Sequence, residues 1–244
     1  MKLYLHGYSS FVWDKHEDIK KILKAKYGVE TRRQSDFIHL AMYGAQLLKE
    51  QISIKQNDEL YITSGAGDVE IVQKTNTYMY KQNEPLQLFD FINLLGNTTS
   101  YYVAKSLGLK GKNIFQISDY FTYYHTLMSA YASIKESQND VIVGSVDLAS
   151  NPQNVIQRVL GVKESVFVQS SVNFQKFSLQ KEGAIACITL GANGFDTYID
   201  CRDEALYFET QMSFVLNQMV EKKRSGFLCE KKGKQKKFLK VEIL

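Results

Sequence analysis

The sequence predicts an α/β fold in which a mixed β-sheet is covered by helices. Short strand-like apolar segments alternate along the chain with segments whose apolar residues recur at helical spacing. The 244 residues are 44% hydrophobic, which is enough to bury a sizeable core. Only two prolines and no glycine- or serine-rich linker interrupt this alternation, so we expect one continuous unit to about residue 200.

The elements follow one another as strand, helix, helix and strand, and then as helices alternating with strands. We predict strands at residues 2–6, 59–63, 114–118 and 140–146, and helices at residues 15–26, 36–51, 68–80, 99–107 and 121–135. Residues 184–190 and 195–201 predict neighbouring strands joined by a tight hairpin turn, because Asn-Gly lies between them. A C-terminal helix and a basic strand or tail complete the chain, which gives expected units at 1–203 and 204–244.

The positive charge is concentrated near the C-terminus. The whole chain has a formal net charge of +4, and residues 221–240 contain nine Lys and Arg residues against Glu221 and Glu230. This segment predicts a mobile, lysine-rich tail, which is either simply solvated or attracts an acidic partner. RNA and membrane phospholipid would respond to the same charge, so charge alone does not select the partner.

Several classes of protein are disfavoured by composition. No run of about 18 apolar residues predicts a membrane span, and the N-terminus lacks the apolar core of a signal peptide, so we expect a cytoplasmic protein. The three cysteines are too far apart for a Cys-x-x-Cys pair and predict free thiols. The four histidines are scattered and predict no metal site.

Residues 108–145 form the most informative segment, which reads as strand, sharp turn, buried helix and strand. Ser118 or Asp119 is expected to cap the helix, and an aromatic-rich stripe that includes Phe121 and Tyr124 faces inward. Periodicity alone predicts only a core helix here.

The same segment resembles the nucleophile region of ketoacyl synthases, in which a strand and turn place a cysteine at the N-terminus of a buried helix. A second segment, Phe91-x-Asn93-x-x-x-Asn97-Thr98 followed by Leu107-Gly108-Leu109-x-Gly111, resembles the loop and helix that precede that strand. Further similar features are Arg32-Arg33-x-Ser35, the glycines after residue 64, and Gly183-Ala184-Ile185-Ala186. Together these features cover roughly residues 30–200.

The resemblance implies a thiolase-like fold consisting essentially of the N-terminal half with a reduced second half. It places the nucleophile position on Phe121, or on Tyr120 if the lead-in is one residue shorter, so no catalytic cysteine is present. The family also uses histidines, or a histidine and an asparagine, from the second half, but no histidine follows His125. The chain is therefore similar to chain-length factors, the partner subunits of polyketide, aryl-polyene or fatty acid systems, and no cofactor is implied.

The resemblance also implies site residues and partners. The acyl pocket or subunit interface is expected at Asn97, Asp119, Tyr120, Phe121, Thr122 and His125. Carrier-protein docking is expected at Lys231, Lys232, Lys234, Lys236 and Lys237. The expected partners are a ketosynthase in a heterodimer, or a second copy through residues 114–118, and an acyl carrier protein; nucleic acid is not expected.

Two alternatives stay open at this stage. One is a divergent synthase or acyltransferase that uses Thr122 or Cys187 with an unrecognised base, for which Thr122 and His125 at i and i+3 offer a possible pair. Asp119 is a weaker candidate base than helix cap. The other is a scaffolding protein that keeps half of a thiolase fold without an acyl ligand.

Overall fold

The computed structural model describes the chain apart from residues 15, 119, 150–152, 161–162, 166, 192–196 and 202–209, and apart from the side chains of residues 159 and 160. Its strands are β1 (Lys2–Trp13), β2 (Glu59–Thr63), β3 (Asn113–Gln116), β4 (Val141–Asp147), β5 (Ser170–Ser178), β6 (Ala186–Leu190), β7 (Ile199–Asp200), β8 (Gly226–Lys232) and β9 (Gln235–Ile243).

The helices lie between these strands along the chain. The α-helices are α1 (Ile19–Tyr27), α2 (Asp36–Gln51), α3 (Val69–Asn76), α4 (Leu88–Leu94), α5 (Gly96–Leu107), α6 (Thr122–Ser137), α7 (Gln153–Leu160) and α8 (Gln211–Glu221). The π-helix Thr77–Gln82 follows α3 directly. None of the helices within the described residues has the length and apolar composition of a membrane span.

The strands form one mixed sheet in the order β3-β2-β4-β5-β1-β6-β9-β8-β7. β2 pairs in parallel with β3 and β4, while β5 pairs antiparallel with β4 and β1. β7 and β8 are parallel, β8 and β9 are antiparallel, and β9 pairs antiparallel with β6. The antiparallel pair β1–β6 joins a first series of strands, β3-β2-β4-β5-β1, to a second series, β6-β9-β8-β7.

The two series repeat one arrangement. In the first, β2, β4, β5 and β1 are neighbours in that order, and α6 precedes β4; in the second, β7, β8, β9 and β6 have the same order and pairing directions, and α8 precedes β8. Within the described residues the second series has fewer helices and no strand in the place of β3. This is the mixed α/β architecture with a reduced second half that the sequence predicts.

Helices cover both faces of the sheet because strand side chains alternate between them. On one face, α6 and α8 pack against residues that include Leu3, Val143 and Ile188. On the other face, α1, α2 and α5 pack against residues that include Ile62 and Phe174. α6 therefore belongs to one apolar cluster with α8 and with strands from both halves of the sheet.

Most predicted elements are confirmed, with α2 and β2 at the predicted bounds, and β1 is longer than predicted. The prediction that residues 184–190 and 195–201 are neighbouring strands is wrong, because β9 and β8 lie between β6 and β7. The apolar residues Leu239 and Val241 of β9 continue the buried face of Ile188. The predicted turn at residues 192–194 lies outside the described residues.

The interpretation of the lysine-rich end as a mobile tail is also wrong. Residues 226–243 form the antiparallel hairpin β8–β9, which pairs with β6 and belongs to the main sheet. Leu228 and Leu239, which are directly opposite each other in the hairpin, are completely buried. Their burial in the core fixes the segment in the sheet.

Candidate functional site

The N-terminus of α6 is built at the edge of the sheet where the parallel strands β3, β2 and β4 end. The chain leaves β3 at Gln116 and enters α6 at Thr122. Phe121, the residue before the helix, has φ 54° and ψ 34° and is 2% exposed. A bulky side chain in this left-handed region costs about 1–3 kcal/mol, so the surrounding core holds Phe121 in a strained conformation.

The first turn of α6 has no side-chain cap from Phe121. The predicted cap at Ser118 is wrong, because Phe121, and not Ser118, is the residue that immediately precedes the helix. The Ser118 hydroxyl donates to the Tyr120 carbonyl oxygen at 2.7 Å. Asp119 lies outside the described residues. The hydroxyl of Thr122, which is completely buried, donates to the Ser118 carbonyl oxygen at 2.6 Å, so it is engaged by the turn instead of being directed at His125.

His125 lies one helical turn beyond Phe121 and is half-buried. Its Nδ1 atom is 3.4 Å from Ser118 Oγ, and its ring contacts the rings of Phe121 and Tyr124 edge-on, each at a centroid distance of 6.2 Å. Burial lowers the pKa of His125 below its usual value of 6.5, and the positive charge of Lys237 lowers it further. The imidazole is therefore neutral at neutral pH.

The β8–β9 hairpin brings lysines to this helix N-terminus. Glu230 is directly opposite Lys237 and Lys232 opposite Gln235, so these four side chains share one face of the hairpin. Lys232 Nζ lies 4.7 Å from the ring centroid of Tyr120, and Lys237 Nζ lies 6.0 Å and 5.4 Å from those of Phe121 and Tyr124. The structure thus brings Lys232 and Lys237, which were predicted for carrier-protein docking, against Tyr120 and Phe121, which were predicted for the acyl pocket or interface.

The other face of the hairpin holds the paired residues Lys231 and Lys236 around Tyr198. Lys231 forms an ion pair with Asp200 at 2.7 Å, and its ammonium lies 4.7 Å from the Tyr198 ring centroid, against 5.4 Å for Lys236. Hydrogen bonding to Lys231 is the main cause that lowers the pKa of Tyr198. Lys234 lies at the exposed hairpin tip beside Gly233, whose φ of 57° suits a two-residue turn.

Asn97 is exposed at the start of α5, and its carbonyl oxygen accepts a hydrogen bond from Ser100 Oγ at 3.0 Å. The preceding Gly96 lies so close to the Phe115 ring that an added Cβ would be 2.3 Å from it. This packing anchors α5 on β3. None of the contacts within the described part of the chain joins Asn97 to Tyr120, Phe121 or His125.

Asp147, which sequence reasoning missed, organises the same edge of the sheet from the end of β4. Its Oδ1 atom accepts hydrogen bonds from the Gly65 amide at 2.8 Å and from Ser64 Oγ at 3.2 Å. Ser64 Oγ in turn accepts from the Gly67 amide at 2.8 Å. The glycine segment after β2 is therefore a turn fixed by a carboxylate, and an acidic residue directly after an apolar strand was the signal for it.

An exposed apolar surface borders the edge strand β3. Ile117 in the turn after β3 is 51% exposed. Leu88, Phe91, Leu95 and Tyr101, on and beside α4 and α5, are also exposed. Among the described residues β3 pairs with β2 alone, and an unpaired strand edge favours association with another chain.

The three cysteines are free and buried, at Cys187, Cys201 and Cys229. Burial is the main cause that raises the pKa of Cys201, and it raises that of Cys229 to about 11. These two thiols are protonated at neutral pH. Cys187 is 5% exposed and lies within β6, paired with β1 and β9, so a substrate has no access to it.

No protein-family model and no curated protein sequence matches the chain. Solved structures do match over its whole length. A chain of the ishigamide ketosynthase/chain length factor structure has a TM-score of 0.75 at 11% identity, with 99% of both chains covered. A chain of the ketosynthase ApeO in complex with its chain length factor ApeC, from Xenorhabdus doucetiae, has a TM-score of 0.60 at 12% identity, with 98% of both chains covered.

A third match is the β-ketoacyl-[acyl carrier protein] synthase III of Thermus thermophilus, with a TM-score of 0.58 at 9% identity and 99% of both chains covered. The fold predicted from the sequence is confirmed by these matches. The chain has the thiolase-like fold shared by ketosynthases and chain length factors.

Proposed function

We propose that the chain is a chain-length-factor-like partner subunit that has no condensing activity and shapes the acyl tunnel of a partner ketosynthase. The proposal places it in fatty acid, polyketide or aryl-polyene-type biosynthesis in the cytoplasm. The observation that carries it is Phe121, which fills the buried, strained position before α6 where the resemblance to ketoacyl synthases requires a nucleophilic cysteine.

The chemistry of condensation supports this interpretation. A condensing enzyme needs a thiolate to accept the acyl chain, and the N-terminus of a helix stabilises that thiolate. A phenyl ring supplies no nucleophile, and no histidine follows His125 to stabilise an enolate. Thr122 and Cys187 are buried, so neither supports the alternative of a divergent synthase.

The exposed edge of β3 and its apolar surroundings support a ketosynthase as the partner. Two of the matching structures, the ishigamide ketosynthase/chain length factor and ApeO in complex with ApeC, combine a ketosynthase with a chain length factor. A heterodimer through β3 would cover Ile117 and bring the partner's tunnel toward Tyr120 and Phe121. A homodimer through the same edge is the second possibility.

The lysines of the hairpin support docking of an acyl carrier protein, since such carriers are typically acidic. The synthase matched from Thermus thermophilus is named for its use of a carrier protein. Lys231 is paired with Asp200, whereas Lys234 and Lys236 are exposed. Lys232 and Lys237 lie over the aromatic rings at the start of α6 and connect the docking surface to the proposed tunnel.

The experiment replaces Phe121 in a complex of the chain with its ketosynthase. Phe121→Ala removes a ring, and we expect longer products because the tunnel end recedes. Phe37→Ala is the matched control, because Phe37 is equally buried but packs on the opposite face of the sheet. Phe121→Cys is not expected to restore condensation by the chain alone. An unchanged product length in Phe121→Ala would contradict the proposal.

A further inference from the structure

Ser118 and His125 form a polar pair within an otherwise aromatic site. Ser118 Oγ lies 3.4 Å from His125 Nδ1, and this is the one hydrogen bond of the imidazole among the described residues. Both side chains are half-buried, so a substrate can reach them. Neither residue has a function in the condensing chemistry that Phe121 excludes.

We propose that Ser118 is a nucleophile and His125 its general base, and that the pair hydrolyses acyl esters and thioesters at the N-terminus of α6. This activity goes beyond the proposed tunnel-shaping function and does not depend on it, because both groups belong to the isolated chain. A serine hydroxyl beside a neutral imidazole is the minimal arrangement of a serine hydrolase.

The separation of 3.4 Å is longer than a reactive hydrogen bond, as is common before substrate binds. The Ser118 hydroxyl donates at present to the Tyr120 carbonyl oxygen. Rotation of the hydroxyl hydrogen about the Cβ–Oγ bond turns the donor toward Nδ1 without moving the backbone. With the imidazole proton on Nε2, Nδ1 is free to accept.

The electrostatic surroundings keep His125 in the form that a base requires. Lys237 on β9 faces the imidazole and, together with burial, lowers its pKa. Lys232 on β8 lies over the neighbouring Tyr120 ring, and the aromatic Tyr124 flanks His125 on α6 itself. Within the part of the chain that the structure describes, Lys237 is the charged group that shifts the pKa of the imidazole, and its positive charge favours the neutral form.

The start of α6 offers stabilisation for a developing oxyanion. The first amide groups of a helix have no intrahelical acceptor, and among the described residues no side-chain cap is bonded to the start of α6. The 16-residue helix adds the positive end of its dipole, and Lys237 adds a full charge on the same side. Ser118 is tied to this end of the helix by its carbonyl contact with Thr122.

The reaction has two balanced steps. Ser118 Oγ attacks the acyl carbonyl carbon while its proton passes to His125 Nδ1; the bond from carbon to the leaving oxygen or sulfur then breaks, and that atom receives the proton from His125. Water repeats the sequence on the acyl-serine, which releases the carboxylic acid and restores the hydroxyl. No oxidant or cofactor is needed.

Exposed apolar side chains beside the pair indicate the substrate class. Ile117 is 51% exposed and Tyr120 is 46% exposed, on either side of Ser118. They offer a surface for a short or medium acyl chain. The nearby lysines suit a leaving group that carries phosphate, as in a pantetheine thioester.

The test combines p-nitrophenyl butyrate hydrolysis with fluorophosphonate labelling of the purified chain. We expect slow hydrolysis and one label on the tryptic peptide of residues 113–135, assigned to Ser118 by fragmentation. Ser118→Ala and His125→Gln should each lower hydrolysis by about 10²-fold or more. Ser137→Ala, at the other end of α6, should match the native chain. All variants are compared by circular dichroism to establish folding.

The pH profile gives a readout that a structural pair would not change. The midpoint of the fall in hydrolysis should lie below pH 6.5, the usual pKa of histidine, and Lys237→Gln should move that midpoint upward. A label on another residue, the absence of a label, full hydrolysis by folded Ser118→Ala, or a midpoint unchanged in Lys237→Gln would each overturn the proposal.

Discussion

The strongest stability prediction concerns Lys176, which is buried on the central strand β5. Its ammonium contacts Asp58 Oδ2 at 2.7 Å, Asp140 Oδ2 at 3.2 Å and the Ser53 carbonyl oxygen at 3.1 Å. Asp58 is 1% exposed and also accepts the Lys55 amide at 2.8 Å. Lys176→Met keeps most of the side-chain volume but leaves the Asp58 carboxylate without its cation.

Removing one partner of a buried ion pair costs about 3–5 kcal/mol, because the other charge remains desolvated. For a chain of 244 residues this corresponds to a fall in melting temperature of roughly 6–20 °C. Such a loss is a large part of a typical free energy of unfolding of about 5–15 kcal/mol.

Urea unfolding followed by circular dichroism measures the effect. The double variant Lys176→Met/Asp58→Asn should recover part of the loss, since a neutral amide costs less to bury than an unpaired carboxylate. Lys240→Met is the matched control, because Lys240 pairs with Glu242 at 2.7 Å at the surface and such pairs contribute about 0–1 kcal/mol. Equal losses in Lys176→Met and Lys240→Met would refute the reasoning.

Three further predictions test other parts of the molecule. Asn217 on α8 accepts a hydrogen bond from Gln175 at 2.8 Å and donates one to the Ser9 carbonyl oxygen at 2.9 Å. Asn217→Leu should therefore lower the free energy of unfolding, measured in urea, by about 1–3 kcal/mol for each partner left unsatisfied. A smaller decrease would contradict this prediction. Burial raises the pKa of Asp68 from 3.8 to about 6, so its carboxylate destabilises the fold above that pH, and the penalty disappears as pH falls below 3.8. Asp68→Asn keeps the helix cap and should raise the free energy of unfolding at pH 7 by up to about 3 kcal/mol, with no gain near pH 4; a pH-independent effect would be the wrong result. Replacement by Gln of Lys231, Lys232, Lys234, Lys236 and Lys237 should slow association with an acidic carrier protein and flatten its salt dependence below about 0.15 M, where the screening length is roughly 8 Å. Replacing the exposed Lys20, Lys21 and Lys24 on α1 by Gln is the control, and equal stopped-flow rates for both variants would count against docking at the hairpin.

The sequence predicts elements well where apolar spacing is regular and fails where buried positions are polar. The bounds of α2 follow from its one-sided apolar face and from Ser35, whose hydroxyl caps the helix. β5 was missed because Asn173, Gln175 and Lys176 make it read as a surface segment, yet all nine of its residues are buried. Their partners lie on β1, α8 and the loop before β2, far apart in sequence, so no local pattern announces them.

At the candidate site too, the local pattern is predictable from the sequence and the contacts between distant residues are not. The turn–helix pattern was enough to place Phe121 before α6, but its left-handed conformation depends on the packing around it. The contact of Lys237 with Phe121 joins positions more than one hundred residues apart through the pairing of β9 with β6. Charge alone predicts a tail for the lysine-rich segment, whereas the buried Leu228 and Leu239 hold this segment in the sheet.

The most direct test of the proposed function is a condensation assay with radiolabelled malonyl carrier protein and an acyl primer. The purified chain is assayed alone, the ketosynthase alone, and then the complex of both. We predict no carbon–carbon bond formation by the chain alone, and a product whose yield or length changes when it joins the ketosynthase. Labelled β-ketoacyl product from the isolated chain, or identical products from the ketosynthase with and without it, would contradict the proposal.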